Sequence, residues 1–273
     1  PNPKLHVFPI KEVSDIGREF GIPLIMDNTA AHGLCKPFEH GAAIIASSCT
    51  KYIGGHGNSI GGIIIDGGNF DWKAYPERQP YLNEPDPSYH GAVWTVATEP
   101  LGPVAYIIKA RVTLLRDEGA AMSPFNAFLF LQGLESLPLR MERHCSNATE
   151  VANFLKDHPK VDHVIHPSQM DGEFRRRADT YLKGGLGGLV GCVLKGGLES
   201  GQKFIDSLEM FYHVANIGDS RSLAIHPAST THQQLSDEEQ AATGVTPGYV
   251  RLSIGIEHID DIKADLKQAL DAA

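Results

Sequence analysis

The sequence predicts an α/β protein in two parts, a mostly parallel sheet domain over residues 1–146 and a smaller α/β domain over residues 147–273. Three observations carry this. Residues 24–26 and 42–46 are apolar runs, too short for helices and flanked by turn residues, as strands buried in a parallel sheet are. Ahead of the first run, Val13, Ile16 and Phe20 recur at helical spacing, so helix and strand alternate as in a doubly wound sheet. Beyond residue 123 a long helical segment leads into a second series of strands and helices.

In chain order, the first helix spans residues 13–20; Gly21 stops it and Pro23 bars its continuation. The strand over 24–26 follows. Residues 32–39 suggest a helix broken by Pro37, and the strand over 42–46 leads straight to a loop around Lys51. Residues 61–66 return as another strand. Residues 67–103 are irregular and polar, with Trp72, Tyr75, Tyr81, Tyr89 and Trp94 among several prolines. A loop of this length is either an entrance lid or subunit contact, or a surface loop pinned by aromatic packing. Residues 104–117 have helical spacing, with Arg111 and Arg116 on the exposed face. Ser123 suits an N-cap and Pro124 the first helical position. That helix runs through Phe128, Leu131 and Leu134, is dented at Pro138 and resumes over 139–154 as a bent connector, which puts the domain boundary near residues 145–148.

The second part reads as strands over 161–166 and 189–194, then an amphipathic helix over 200–211 with Phe204, Ile205 and Leu208 inward. A strand over 249–255 and a closing helix over 259–270 complete it, with Asp260 and Asp261 where the helix dipole favours acids. Gly184-Gly185-Leu186-Gly187-Gly188 lacks the strand-then-helix context of a phosphate loop and reads as a flexible approach to a strand.

At 273 residues, 42% hydrophobic and 21% charged, the chain suits a folded protein of one large or two ordinary domains. A formal charge of −9 with no basic block argues against nucleic acid and anionic membrane surfaces as partners. No apolar run is long enough to span a bilayer and no signal peptide is visible. Cys35, Cys49, Cys145 and Cys192 are scattered without a C-x-x-C pair, the pattern of reduced thiols in a cytoplasmic protein. The 13 histidines form no zinc motif.

The chemistry concentrates on Ser47-Ser48-Cys49-Thr50-Lys51-Tyr52-Ile53-Gly54-Gly55-His56-Gly57, with Asp27-Asn28-Thr29 ending the preceding strand. The carboxyl ends of neighbouring parallel strands form a ligand crevice, so Asp27 and Lys51 meet in one site. A lysine there can form a Schiff base with pyridoxal phosphate, an acid can keep the pyridine nitrogen protonated, and Ser48 and Thr50 can offer hydroxyls to the phosphate. The plainer alternative is a loop lysine and a turn-capping aspartate.

These motifs resemble the Cys/Met-metabolism family of pyridoxal-phosphate enzymes. The likeness continues through His226-Pro227-Ala228-Ser229-Thr230-Thr231-His232-Gln233-Gln234-Leu235 and Val250-Arg251-Leu252-Ser253-Ile254-Gly255-Ile256-Glu257, which are most similar to its O-acetylhomoserine sulfhydrylase branch. The resemblance covers essentially the whole chain and implies a fold type I pyridoxal-phosphate transferase. By it, Lys51 is the Schiff-base lysine, Asp27 the pyridinium partner, Ser48 and Thr50 phosphate ligands, and Thr29 a residue near the ring. Arg251 would hold a substrate α-carboxylate through its planar guanidinium, with an ordinary surface salt bridge as the alternative. Asn216 lies where several family members have a serine, which points to the sulfhydrylase branch and away from lyase chemistry. His226 and His232 read as structural, holding the loop before Arg251.

The activity implied is γ-replacement on O-acetyl-L-homoserine with sulfide or a thiol, giving homocysteine or methionine plus acetate. The alternatives are γ-elimination on the same fold, and an incomplete or split chain inactive alone. The chain opens on Pro1, and by the resemblance an N-terminal part is missing. That part would carry the family's glycine-containing phosphate loop, the ring that stacks on the cofactor, and a Tyr and Arg reaching a neighbouring site. The partners implied are a small amino acid ester and a thiol, with assembly as a dimer of dimers or with a chain carrying the missing part.

Overall fold

The computed structural model describes residues 3–273. Helix α1 (Ile10–Glu19) buries Ile10, and Ser14 on the same face donates to Gly41 O at 2.7 Å. It ends in a Schellman motif: Gly21, at φ +66°, lets the Ile22 N–H reach Gly17 O at 2.7 Å. Strand β1 (Ile25–Asp27) then pairs in parallel with β2 (Ile44–Ser48), with Asp27 opposite Ala46. The helix expected over 32–39 is reduced to a 3-10 turn, Pro37–His40, because Pro37 has no N–H to continue one.

Strand β3 (Gly62–Asp66) pairs antiparallel with β2, so the three-stranded sheet β1-β2-β3 is mixed. The lysine loop joins β2 to β3 with no crossover helix, and such a connection returns the chain antiparallel. Under β2, Ala43 and Ile44 pack with Phe70, Trp72, Leu82, Trp94 and Ala105. The long polar segment is therefore pinned by aromatic packing. It contains two short helices, α2 (Pro80–Asn83) and α3 (Trp94–Ala97), and Asp86 ties it down by accepting from Trp94 Nε1 and Lys109 Nζ, both at 2.8 Å. Helices α4 (Ala105–Lys109) and α5 (Arg116–Glu118) flank a π-helical stretch, Ala110–Leu115.

Helix α6 (Pro124–Lys156) is a single 33-residue element with Pro138, the site of the expected dent, inside it. In the turn before the proline, Gly133 O accepts from Arg140 Nη2 (2.8 Å) and Ser136 Oγ (3.4 Å). Ser123 precedes the helix as expected but makes no side-chain capping bond. The first half of α6 packs on the lysine loop through Phe130, and Ala148, Val151, Ala152 and Leu155 enter the C-terminal core.

The C-terminal part comprises β4 (Val161–Ile165), α7 (Gly172–Tyr181), β5 (Leu189–Leu194), α8 (Gly197–Ser207), β6 (Tyr212–His213), β7 (Leu223–Ile225), α9 (Asp237–Thr243), β8 (Tyr249–Ser253) and α10 (Ile259–Ala272). Its sheet runs β4-β5-β8-β7-β6, parallel only between β6 and β7. Central β8 is buried along its whole length. Helices α6, α8 and α10 share one continuous core with this sheet. All four cysteines are free and buried.

Candidate active site

The carboxyl ends of β1 and β2 lie side by side, as parallel pairing requires. Asp27 is exposed there, and its Oδ1 accepts the Thr29 N–H at 2.8 Å. Thr29 is buried and its Oγ1 accepts the Ser48 N–H at 2.8 Å, which staples the two strand ends together. Past Ser48 the chain makes a tight helical turn, closed by Gly54 N–H to Cys49 O and Gly55 N–H to Lys51 O, both 2.8 Å. Thr50 follows the strand but turns toward β3: its Oγ1 accepts from Gly61 N–H at 3.2 Å and lies 3.5 Å from Gly61 O.

Lys51 leaves this turn half-buried, and its Nζ donates to Asn216 Oδ1. Burial, and then the positive charge of Arg251, push the Lys51 amine below the ordinary lysine range. Arg251 stands in the middle of β8, opposite Gly191 and Ile225. It is buried, which excludes the surface salt bridge, and its Nη2 donates to Asn216 O at 3.1 Å. Asn216 therefore takes Lys51 on its side chain and Arg251 on its main chain. The loop holding it is fixed to the lysine turn by Ser220 N–H to Gly55 O, 2.8 Å.

His226 is buried and its ring bridges Ser229 Oγ and Pro247 O, both at 2.8 Å, the structural role expected of it. Three residues that no motif singled out also bear on the site. Arg140, His144 and Asn147 are buried at i, i+4 and i+7 on one face of α6. Buried polar residues at helical spacing in an otherwise apolar helix are the signal that finds them.

A family model described as "Cys/Met metabolism PLP-dependent enzyme" matches residues 1–271. The chain belongs to the Cys/Met metabolism PLP-dependent enzyme family. It is 54% identical to the O-acetyl-L-homoserine sulfhydrylase of Leptospira meyeri, covering 98% of this chain and 62% of that one. It is 46% identical to the homocysteine synthase of Schizosaccharomyces pombe, covering 100% of this chain and 63% of that one. A Campylobacter jejuni structure described as an O-acetylhomoserine (thiol)-lyase with N'-pyridoxyl-lysine-5'-monophosphate superimposes with a TM-score of 0.91 at 40% identity, over 99% of this chain and 64% of that one. The chain thus spans under two thirds of the length of these relatives.

The residues present fit the cofactor of this family. A half-buried amine with a lowered proton affinity is the group that an aldehyde needs, and Asp27 offers an exposed carboxylate at the same end of the sheet.

Proposed function

We propose that this protein is a pyridoxal-phosphate-dependent transferase that performs γ-replacement on O-acetyl-L-homoserine with sulfide or a thiol. The observation that carries the reading is the convergence of the Lys51 amine and the Arg251 guanidinium on the single residue Asn216. Lys51 would anchor the cofactor, Asp27 hold the ring-nitrogen proton, and Ser48, Thr50 and Thr29 line the phosphate and ring. When bound there, pyridoxal phosphate supplies an electron sink for carbon acid chemistry.

The chain's own residues then have distinct tasks. Arg251 receives the substrate α-carboxylate, and its planar fork fixes the orientation. Lys51, whose amine burial and then Arg251 push below the ordinary lysine range, takes the α-proton and returns protons to substrate carbons. Across the reaction the γ-carbon loses its bond to acetate and gains one to sulfur. The names of the relatives support the sulfhydrylase assignment, and asparagine at 216, where several family members have a serine, favours replacement over elimination.

An assembly belongs to the same reading. Ile25, Ile63, Ile64 and Ile65 leave the small sheet apolar and exposed, which supports cover by further copies or by a chain carrying the family's remaining length. The buried free thiols, with Cys35 pushed up to about 11 and Cys192 to about 12 by burial, support a reducing, cytoplasmic setting.

The deciding experiment is borohydride reduction of the protein with pyridoxal phosphate, followed by peptide mass analysis and assay with O-acetyl-L-homoserine and sulfide. Label on the Lys51 peptide with homocysteine and acetate as products is expected, and Lys51→Ala removes both. Production of 2-oxobutyrate without added nucleophile would assign elimination instead. Absence of label on Lys51 overturns the reading.

A further inference from the structure

Arg140 lies inside α6, 6% exposed, and donates four hydrogen bonds, all to neutral oxygens. Nη1 donates to Tyr52 O at 2.7 Å and Nη2 to Ile53 O at 3.1 Å. Within its own helix, Nη2 donates to Gly133 O at 2.8 Å and Nε to Ser136 Oγ at 3.0 Å. Tyr52 and Ile53 directly follow Lys51, and both are buried. Their carbonyls sit at the end of a single helical turn, where no further turn follows to satisfy them. Neutral donors would cap those carbonyls without the desolvation that a buried guanidinium costs. What the guanidinium adds is rigidity: one planar group grips two consecutive carbonyls and the helix behind them.

Two glycines are shaped around this grip. A Cβ at Gly133 would lie 2.2 Å from Ile53 O, and one at Gly55, φ +76°, would lie 2.6 Å from Arg140 Nη1. Further along the same face of α6, His144 Nδ1 meets Ile254 O at 2.6 Å, and Asn147 Nδ2 donates to Gly255 O and Glu257 O, both at 3.0 Å. Ile254 and Gly255 continue the chain from Arg251. One rigid helix face therefore holds the turn after Lys51 and the segment after Arg251.

We propose that Arg140 is a positioning residue that holds the Lys51 amine in register with Asn216 and Arg251, by gripping the two carbonyls that follow Lys51. This rests on the assignment of Lys51 as the reacting amine. Arg251, from β8, is the charged group facing that amine, and Asn216 is its neutral neighbour. A loosened turn would carry Lys51 away from both and toward solvent.

The test reads the pH dependence of labelling at Lys51. Pyridoxal phosphate is added to the purified protein and reduced with borohydride across a pH series, and the Lys51 peptide is weighed. Thermal midpoints are recorded alongside. The variants are Arg140→Lys, Gly133→Ala, and Arg140→Ala with and without methylguanidinium. A cavity of about 200 Å³, lined in part by Thr50, Gly54, Gly133 and Ser136, lies beside two of the groups that Arg140 bonds. In Arg140→Lys and Gly133→Ala the limb should move up by about one pH unit, with labelling near neutrality about tenfold lower. Methylguanidinium should restore label to Arg140→Ala. If the first two variants keep the original pH profile and yield, the positioning role is overturned, and they decide the matter even where Arg140→Ala fails to fold. Absence of label on Lys51 in the unaltered protein overturns the assignment of Lys51, and this proposal with it.

Discussion

The C-terminal part and the small β1–β3 sheet bury their apolar residues in opposite ways. Between Ala148 and Leu270, 19 residues form one core, closed by α6, α8 and α10 over the five-stranded sheet. In the β1–β3 sheet only central β2 is well buried, and both outer strands are open edges carrying Ile25, Ile63, Ile64 and Ile65 at 41–51% exposure. Among the described residues, the exposed large apolar side chains beyond residue 147 are only Leu198, Tyr212 and Val214. The difference teaches how the candidate site divides its labour. Arg251 stands on a platform that closes its own core, whereas Lys51 stands on a partial layer and borrows its rigidity from α6. Three measurements test that contrast.

The largest effect belongs to the closed core. Phe204 on α8 is fully buried within it, so Phe204→Ala should cost about 3–5 kcal/mol in a denaturant titration. A cost below about 1 kcal/mol would show that this core re-collapses easily and is not the rigid platform described.

A smaller effect comes from acid. His166, at the end of β4, is fully buried, and burial pushes it down to about 4, with a backbone contact at Gly187 opposing the shift in part. The unfolded chain takes up this proton near pH 6.5 and the folded chain only near 4. Stability from this group is therefore intact above about pH 6.5 and is lost as pH falls toward 4, by about 3 kcal/mol in all. Comparing denaturant midpoints at pH 7 and 4.5, His166→Gln should lose much less on acidification than the unaltered protein. An equal loss in both would place the acid sensitivity elsewhere.

The contrast also explains what the sequence makes legible. Strands over 44–48, 189–194 and 249–253 are visible because burial writes itself as an apolar run, and the strand over 62–66 because three consecutive β-branched isoleucines suit a strand even where they stand exposed. Lys51, Asp27, Asn216 and Arg251 were legible from motif, and the structure brings Lys51, Asn216 and Arg251 into contact. Helix α7 was missed because only Ala178 and Tyr181 are buried on it, so its Arg- and Glu-rich turns carry no apolar period. Helix α9 was missed although Ser236 and Glu239 form a capping box, a local signal that could have found it. Strands β6 and β7 are too short to show a period. At Pro138, where the sequence suggests a dent, the helix continues as a single element. Arg140 itself carries no motif; its meaning depends on the carbonyls of Tyr52 and Ile53, 88 and 87 residues earlier in the chain.

The smallest expected effect sharpens the comparison most. Ile64, on edge strand β3, is 49% exposed and pairs opposite Ala46. As the surface stands, Ile64→Thr keeps the β-branch that suits a strand and removes little buried area. It should change stability by no more than about 0.5 kcal/mol in the isolated chain. Sedimentation across a concentration series should be run on the same variant, because an apolar face covered by a second copy binds by mass action. If Ile64→Thr costs more than about 2 kcal/mol and the cost grows with protein concentration, the sheet is buried in a self-assembled interface. A small cost that is independent of concentration leaves the face open in this chain. The rigidity of the lysine turn would then come from contacts within the chain, with the grip of Arg140 on Tyr52 and Ile53 beside the bond from Ser220 N–H to Gly55 O.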